Sequence, residues 1–531
     1  MVTSLCQITE NAQKILRQRY YAKDKDGNLL ENSPEELFER VVNHVVLAEK
    51  PEAREHWKQK YLDQLLFPLV FLPNSPVLMN FGYTNGTGAA CYVLAIKDTM
   101  DDISDIAKEA IKIEKYGGGV GFSLSNIRPK GFRISSTQGA ACGPIAVLKY
   151  LSAGGKLVTQ GGKRDGAHLA ALSCFHPDIM EFIKCKGKEG DIHNFNISVG
   201  VNSNFMLAVQ NDWYIHLNWP MDKSVYRFNA DMEMYSEVNN PKDKIAALIN
   251  PEVLTGRMVK AKDLFDEIIF GAWLNGEPGL LWLDRANEDN VTPNLGEIEA
   301  ANPCGEELLL SHEPCNLGSI NLGKFVIDHY FDFERFRNAI HLAVRFLDSV
   351  IDVNYHPTNK TKEMSLKTRK IGLGIMGFAD MLIKLGVSYN SQTAIDWAER
   401  IGSILKEEAD SASSYLGKEK GNFPEFSNST LDINNGGLWG YMRNGWRLSI
   451  APTGTIAMLA NCSYGCEPLF SLAYKKHNMS SNMSEINLFF SNEDLIDFLG
   501  ADKTKQWLDA VPLKELIGDK ADIFVTTTEI P

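Results

Sequence analysis

No uninterrupted apolar run in this 531-residue chain approaches the length of a membrane span. The first ten residues lack the basic-then-apolar order of a secretion signal. Positive charge is not in excess: 54 Lys and Arg against 67 Asp and Glu leave a formal charge of −13. That balance argues against nucleic acid or an anionic membrane as the main partner, while small anions remain open to helix starts and backbone nests. Nine cysteines, an odd number without a signal, fit a reducing cytoplasm rather than a disulfide scaffold. No internal repeat, low-complexity tract or clear linker is present.

Metal-ligand spacing is missing too. His168, His176 and His193 are scattered, and Cys462 and Cys466 have no histidine cluster to complete a zinc set, so no metal site is expected. Ala451-Pro452-Thr453-Gly454-Thr455-Ile456 opens a helical stretch with small and hydroxyl residues, as an anion-binding start does, but without a Walker lysine; an ordinary helix cap explains it equally. Residues 372–377 match G-x-G-x-x-G, yet the preceding Lys367-Thr368-Arg369-Lys370 is no buried strand. Close backbone packing is the expected reason for those glycines.

What is present reads as a large globular α/β protein: 44% apolar, 23% charged and 10% aromatic, long enough for several domains or one large barrel with additions. The first seventy residues read as helical. Ser33, Pro34 and Glu36 predict a capping-box start, followed by the stripe Leu37, Val41, Val42, Val45 and Val46. Two prolines at 73 and 76 end that region. Beyond them strands alternate with helices: 91–96 as a buried strand, 101–115 as a helix, and Phe336, Ile340, Ala343, Leu347 and Val350 as a helical stripe. Glycine turns fall at 117–119, 161–162 and 436–437, and the basic residues Arg128, Arg133, Lys163 and Arg164 lie among such loops, where phosphate could be held.

The most informative segment is Ala301-Asn302-Pro303-Cys304-Gly305-Glu306, with Cys315 following. In an extended chain Asn302, Cys304 and Glu306 would share one face, roughly 6–7 Å apart, offering an amide, a thiol and a carboxylate to one ligand. Asn-Pro and Cys-Gly are also turn dipeptides, so a plain turn is an equal reading.

Taken together, 11–20, 71–76, 90–91, 116–121, 302–306, 315–322, 371–380 and 452–456 resemble a ribonucleotide reductase catalytic subunit, most closely the adenosylcobalamin-dependent class. The resemblance implies a ten-stranded α/β barrel over residues 71–531, after a helical region at 1–70, with a central finger loop carrying Cys304. It implies that Cys304 forms a thiyl radical and removes the ribose 3′ hydrogen, Glu306 takes the 3′-hydroxyl proton, and Asn302 bonds the ribose hydroxyls. Cys91 and Cys315 would supply two electrons and close a disulfide. Ser75, Ala90, Pro452, Thr453, Gly454, Thr455 and Ile456 match substrate-binding positions. Asp98, Arg128 and Arg133 match the neighbourhood that binds a deoxynucleotide effector at a dimer interface. A thioredoxin-like reductant is implied as partner.

The helical region begins without room for the extra nucleotide-binding cone of many iron-dependent relatives, which favours the cobalamin class. The chain stops at Pro531, before the last barrel strands the family carries, so the expectation is an incomplete barrel completed by a separate C-terminal polypeptide. Two other readings stay open: a radical imported from a separate metal-containing subunit, or a nucleotide-binding assembly subunit inactive without its complement.

Overall fold

Ser33 starts the helix Pro34–Val45 by accepting a hydrogen bond from the Glu36 N–H at 3.3 Å. The Glu36 carboxylate reaches back to the Asn32 N–H at 2.7 Å, one residue before the position a capping box uses. Leu37, Val41, Val42 and Val45 are wholly buried against the rest of the helical region and the helix Phe333–Val353. The computed structural model describes residues 6, 8–158, 167–187, 192–220, 257–478 and 486–530. The glycine turn at 161–162 and the pair Lys163 and Arg164 lie outside them.

One eight-stranded sheet organises the remainder. Its strands are β1 (Phe71–Pro73), β2 (Cys91–Ala95), β3 (Gly119–Ser123), β4 (His168–Ser173), β5 (Phe195–Val201), β6 (Gly279–Trp282), β9 (Pro314–Asn321) and β10 (Ile371–Met376). Strands β2 to β6 run parallel in sequence order, each joined to the next by a crossover, as a half-barrel with outer helices requires. β9 joins the two halves. One edge meets β2 and β1 antiparallel at successive stretches, and the other runs parallel to β10. The segment around Leu448 continues the sheet beyond β10 by a single bridge to Leu373. Eight strands form the sheet among the described residues, a reductase-type barrel that is incomplete as expected, and the segment around Leu448 adds only a bridge.

Alternation along β2 decides what faces inward. Tyr92 and Leu94 pack outward on the helices Met100–Lys115 and Pro144–Lys156, whereas Cys91 and Val93 join Leu169, Ala171, Cys315 and Leu317 in the barrel interior. Close backbone packing accounts for Gly374, where a Cβ would lie 2.1 Å from the Ser449 carbonyl oxygen, whereas Gly372 and Gly377 are pressed by side chains. Gly372 and Gly374 belong to the buried strand β10 itself, and Gly377 follows it at φ +72°. His168 stacks on Phe195 with centroids 4.5 Å apart and bonds Glu114, and His176 bonds the Ile127 carbonyl, so both are core histidines; His193 is exposed. Among the described residues no group of three or more His, Cys, Asp or Glu could hold a metal ion, and no helix is long and apolar enough to cross a membrane.

A polar knot ties the long central helix to the second half. Asp348, fully buried, accepts from Arg369 at 2.8 Å, Asn444 at 3.0 Å and Arg443 at 3.2 Å. Burial alone would raise its pKa, but the two guanidiniums outweigh it and hold the carboxyl below its ordinary value. Asp348→Ala takes a fully buried carboxylate from the buried Arg369 and the half-buried Arg443, which keep only Asp352 as an ion-pair partner, and is expected to cost roughly 3 kcal/mol in urea unfolding. Because the folded pKa is lowered, this contribution is present at neutral pH and lost as pH falls through the carboxylate range. An unchanged urea midpoint in the variant would mean that the knot contributes nothing.

Candidate active site

The segment that dominates the sequence forms the tip of a hairpin inside the barrel. β7 (Ala300–Ala301) pairs antiparallel with β8 (Leu308–Leu309), and residues 302–307 turn between them. Asn302 organises the turn. Its carbonyl accepts the Gly305 N–H at 3.1 Å, and its Oδ1 accepts from Gly305 at 3.1 Å and Glu307 at 3.0 Å. Gly305 takes φ +87°, a left-handed conformation that glycine adopts without strain. The extended arrangement is thus corrected: the trio converges because the chain turns, not because side chains alternate. Asn302 is buried, Cys304 exposed and Glu306 half-buried.

Glycines in β3 let the hairpin enter. A Cβ at Gly121 would sit 1.7 Å from the Ala301 carbonyl oxygen, and one at Gly119 would sit 2.8 Å from the Pro303 ring. The glycine-rich stretch after Tyr116 is therefore a seat for the finger loop. This backbone contact fixes how deep the tip reaches.

At the tip the distant cysteines meet. Cys91 and Cys315 are direct partners across the β2–β9 pair. Opposite residues on antiparallel strands have Cα atoms about 4.5–5.5 Å apart and side chains on one face. That separation lies within the roughly 4.4–6.8 Å a disulfide spans. Both thiols are free and buried. The Asn302 amide donates to Cys91 Sγ at 3.0 Å, and the Cys91 thiol donates to Glu306 Oε1 at 3.8 Å. Burial first, then the Glu306 and Glu307 carboxylates, raises the Cys91 pKa well above its ordinary value; burial and Glu307 do the same to Cys315. Both are held as thiols, which can give up hydrogen as well as electrons.

These groups face one cleft of about 360 Å³. Ser75, Ala90, Cys91, Asn302, Cys304 and Glu306 line it, and so does the whole segment from Pro452 to Ile456. The helix expected at 456 spans Ile456–Ala460. Thr453 turns its Oγ to the Gly465 N–H at 2.8 Å. Of the residues placed here from sequence, only Cys315 stays behind the wall.

Sequence reading missed several contributors. Gln18 and Arg19 reach the cleft from the helical region, and the buried Tyr20 hydroxyl is 2.7 Å from Ser75 Oγ. Glu307 was missed although its neighbour Glu306 was not. It is buried beside Cys315 and Ser449, and burial pushes its carboxyl up to about 8. The available signal was a second carboxylate directly following Glu306.

Asp98, Arg128 and Arg133 lie away from the cleft. Asp98 accepts from the Arg128 backbone at 3.0 Å and pairs with its guanidinium at 2.5 Å, and that guanidinium lies 5.9 Å from the centre of the Trp219 ring. Arg133 bonds Gln138 in a separate small turn bridged to Ala140.

A half-barrel joined by one strand to a second half, with a cysteine-tipped hairpin threaded inside and a thiol pair in its wall, defines an α/β barrel built around a central finger loop. The family model "Ribonucleotide reductase, barrel domain" matches residues 89–531, and "Ribonucleotide reductase, all-alpha domain" matches 6–86. The chain belongs to the ribonucleotide reductase family. It is 37% identical to a vitamin B12-dependent ribonucleoside-diphosphate reductase of Thermoplasma acidophilum, over 92% of this chain and 66% of that protein. A Mycobacterium tuberculosis protein of the same description is 37% identical over 90% of this chain and 64% of its own length. A Chlamydia muridarum ribonucleoside-diphosphate reductase subunit alpha is 28% identical, over 89% and 48%. The chain thus spans just under two thirds of the length of the vitamin B12-dependent relatives.

Proposed function

We propose that this chain reduces ribonucleotides to 2′-deoxyribonucleotides by radical chemistry at Cys304. The observation that carries the reading is the convergence of Cys304, Glu306, Asn302 and Cys91 on one nucleotide-sized cleft, with Cys315 in register behind Cys91. Cys304, as a thiyl radical, takes the 3′ hydrogen of the ribose and later returns it. Glu306 accepts the 3′-hydroxyl proton, and Asn302 holds the sugar hydroxyls. Cys91 protonates the departing 2′-hydroxyl, which leaves as water. The pair supplies two electrons in all, so one ribonucleotide and two thiols become one deoxyribonucleotide, one water and one disulfide. Ser75, Ala90 and residues 452–456 hold the rest of the substrate, the last of these at its phosphates.

The residues present fit adenosylcobalamin as the radical source. Cys304 is exposed, and a cleft of about 360 Å³ takes a nucleotide but not a corrinoid as well. Gly117 and Ala167, half-buried residues that line the cleft with Cys304, would hold the cofactor. Bound there, it supplies the one-electron oxidation of the Cys304 thiol. The names of the 37%-identical relatives favour this source over a separate metal-containing subunit.

The proposal extends to a deoxynucleotide effector at Asp98, Arg128 and Arg133 in a homodimer, a thioredoxin-like reductant and a cytoplasmic setting suited to nine free cysteines.

The test is deoxynucleotide formation from ribonucleoside di- and triphosphates, with a dithiol, with and without adenosylcobalamin. Activity independent of the added cofactor would remove the cobalamin assignment, and no activity with any radical source, even with the complementary C-terminal polypeptide added, would remove the function. Cys91→Ser and Cys315→Ser are each expected to lower dithiol-driven turnover by about 100-fold or more, roughly 2.7 kcal/mol of barrier. Undiminished turnover in either would exclude the pair as electron donor.

A further inference from the structure

We propose that Glu307 is the general acid that protonates Cys315 when the Cys91–Cys315 disulfide is reduced; this rests on the dithiol reading above. Its geometry separates it from Glu306. Glu306 lines the cleft, whereas Glu307 turns through the wall and is 2% exposed, beside Cys315 and the Ser449 side chain. Its Oε1 is fully buried and makes no hydrogen bond among the described residues. Gly372 leaves the room it occupies: a Cβ there would lie 2.5 Å from that oxygen. The cation facing it, Lys370, is committed to Glu313 at 2.8 Å, both side chains being buried. The titratable groups around it are therefore Glu306, Cys91, Cys315, Lys370 and Glu313.

The two sulfurs of the pair are not equivalent. Cys91 lines the cleft and Cys315 does not. A reductant thiolate reaches Cys91 first, so Cys315 is the leaving sulfur. As a thiolate it would be stranded in an apolar wall beside carboxylates, which is costly. Glu307 removes that cost. The new bond joins the reductant sulfur to Cys91, the Cys91–Cys315 bond breaks, and the Glu307 proton passes to Cys315 as it leaves. The proton shed by the attacking thiol returns to Glu307 through solvent. The second thiol of the reductant then displaces Cys91, which takes up that thiol's proton; overall, one dithiol is oxidised and two cysteines are reduced. A carboxyl that burial holds protonated up to about pH 8 carries the proton for this task at neutral pH.

The experiment uses the full chain, oxidised with diamide, with the Cys91–Cys315 linkage identified by mass spectrometry of the linked peptides. Reduction by dithiothreitol is followed by quenching and alkylation. Glu307→Gln is expected to slow reduction at neutral pH by about tenfold or more, within the range of general-acid effects. Corrected for the thiolate fraction of the reductant, the wild-type rate falls as pH rises through about 8; the Gln variant loses this dependence, and Glu307→Asp restores part of it. Equal rates and equal profiles for wild type and Glu307→Gln overturn the proposal. If the Gln variant does not fold, a corrected wild-type rate that stays flat through this pH range overturns it alone. If no Cys91–Cys315 disulfide forms at all, the dithiol reading itself fails, which is a different result.

Discussion

Cys304→Ala is expected to abolish deoxynucleotide formation, by on the order of 10⁴-fold or more, while nucleotide binding changes by less than about threefold. The asymmetry follows from where the residue sits. The turn that presents it is made by the Asn302 side chain and by Gly305 at positive φ, neither of which uses the sulfur. Alanine therefore leaves the cleft wall standing and removes one atom from its surface. No nearby thiol takes over. Cys91 is buried and engaged by Asn302 and Glu306, and Cys315 lies behind the wall. Cys304→Ser is expected to be as inactive, because an O–H bond is too strong to be exchanged reversibly with a sugar C–H. Isothermal titration with the ribonucleotide and a turnover assay on the same preparation decide the matter. Turnover surviving in either variant would end the radical assignment; binding lost with turnover would mean that Cys304 shapes the cleft instead.

The second large effect lies at a residue that does not line the cleft. Gly121→Ala places a Cβ 1.7 Å from the Ala301 carbonyl oxygen and 2.8 Å from its carbon. Both are backbone atoms of the hairpin, so no rotamer change relieves the contact, and the hairpin must retreat by more than about 1 Å. Overpacking of this kind costs about 1–3 kcal/mol of stability. The activity loss is expected to be larger in proportion, about 100-fold, because a displacement of that size misplaces Cys304, Asn302 and Glu306 together relative to Cys91. Gly402→Ala is the control. That glycine lies within the helix Gln392–Lys420 with nothing within 4 Å of its would-be Cβ, and the change is expected to stabilise the helix by about 0.5–1 kcal/mol without affecting turnover. Melting temperature and turnover measured on both variants check the pair. A fully active Gly121→Ala protein would show that the depth of the finger loop is not set by β3.

Much of the site was legible because its parts are short, contiguous strings. Asn302, Cys304 and Glu306 are neighbours in sequence and remain neighbours in space whichever local conformation the segment adopts. The same holds for residues 452–456 and for helices with strong caps and stripes, such as Pro34–Val45 and Phe333–Val353. The conformation of 302–306 was misjudged as extended because alternation is a property of strands, and this segment is the loop between two of them. The glycines of β3 carried no sign of what would press on them.

Chain chemistry and local periodicity determined which residues could do thiol and carboxylate work, where helices begin, and that the interior would be a mixed α/β layer. Only the folded arrangement decided that Cys91 lies opposite Cys315, because that depends on the register of two strands more than two hundred residues apart. It alone also sent Glu306 into the cleft and Glu307 behind it. A sequence specifies side chains and their nearest neighbours, whereas long-range register is settled by the packing of the whole barrel around its central hairpin.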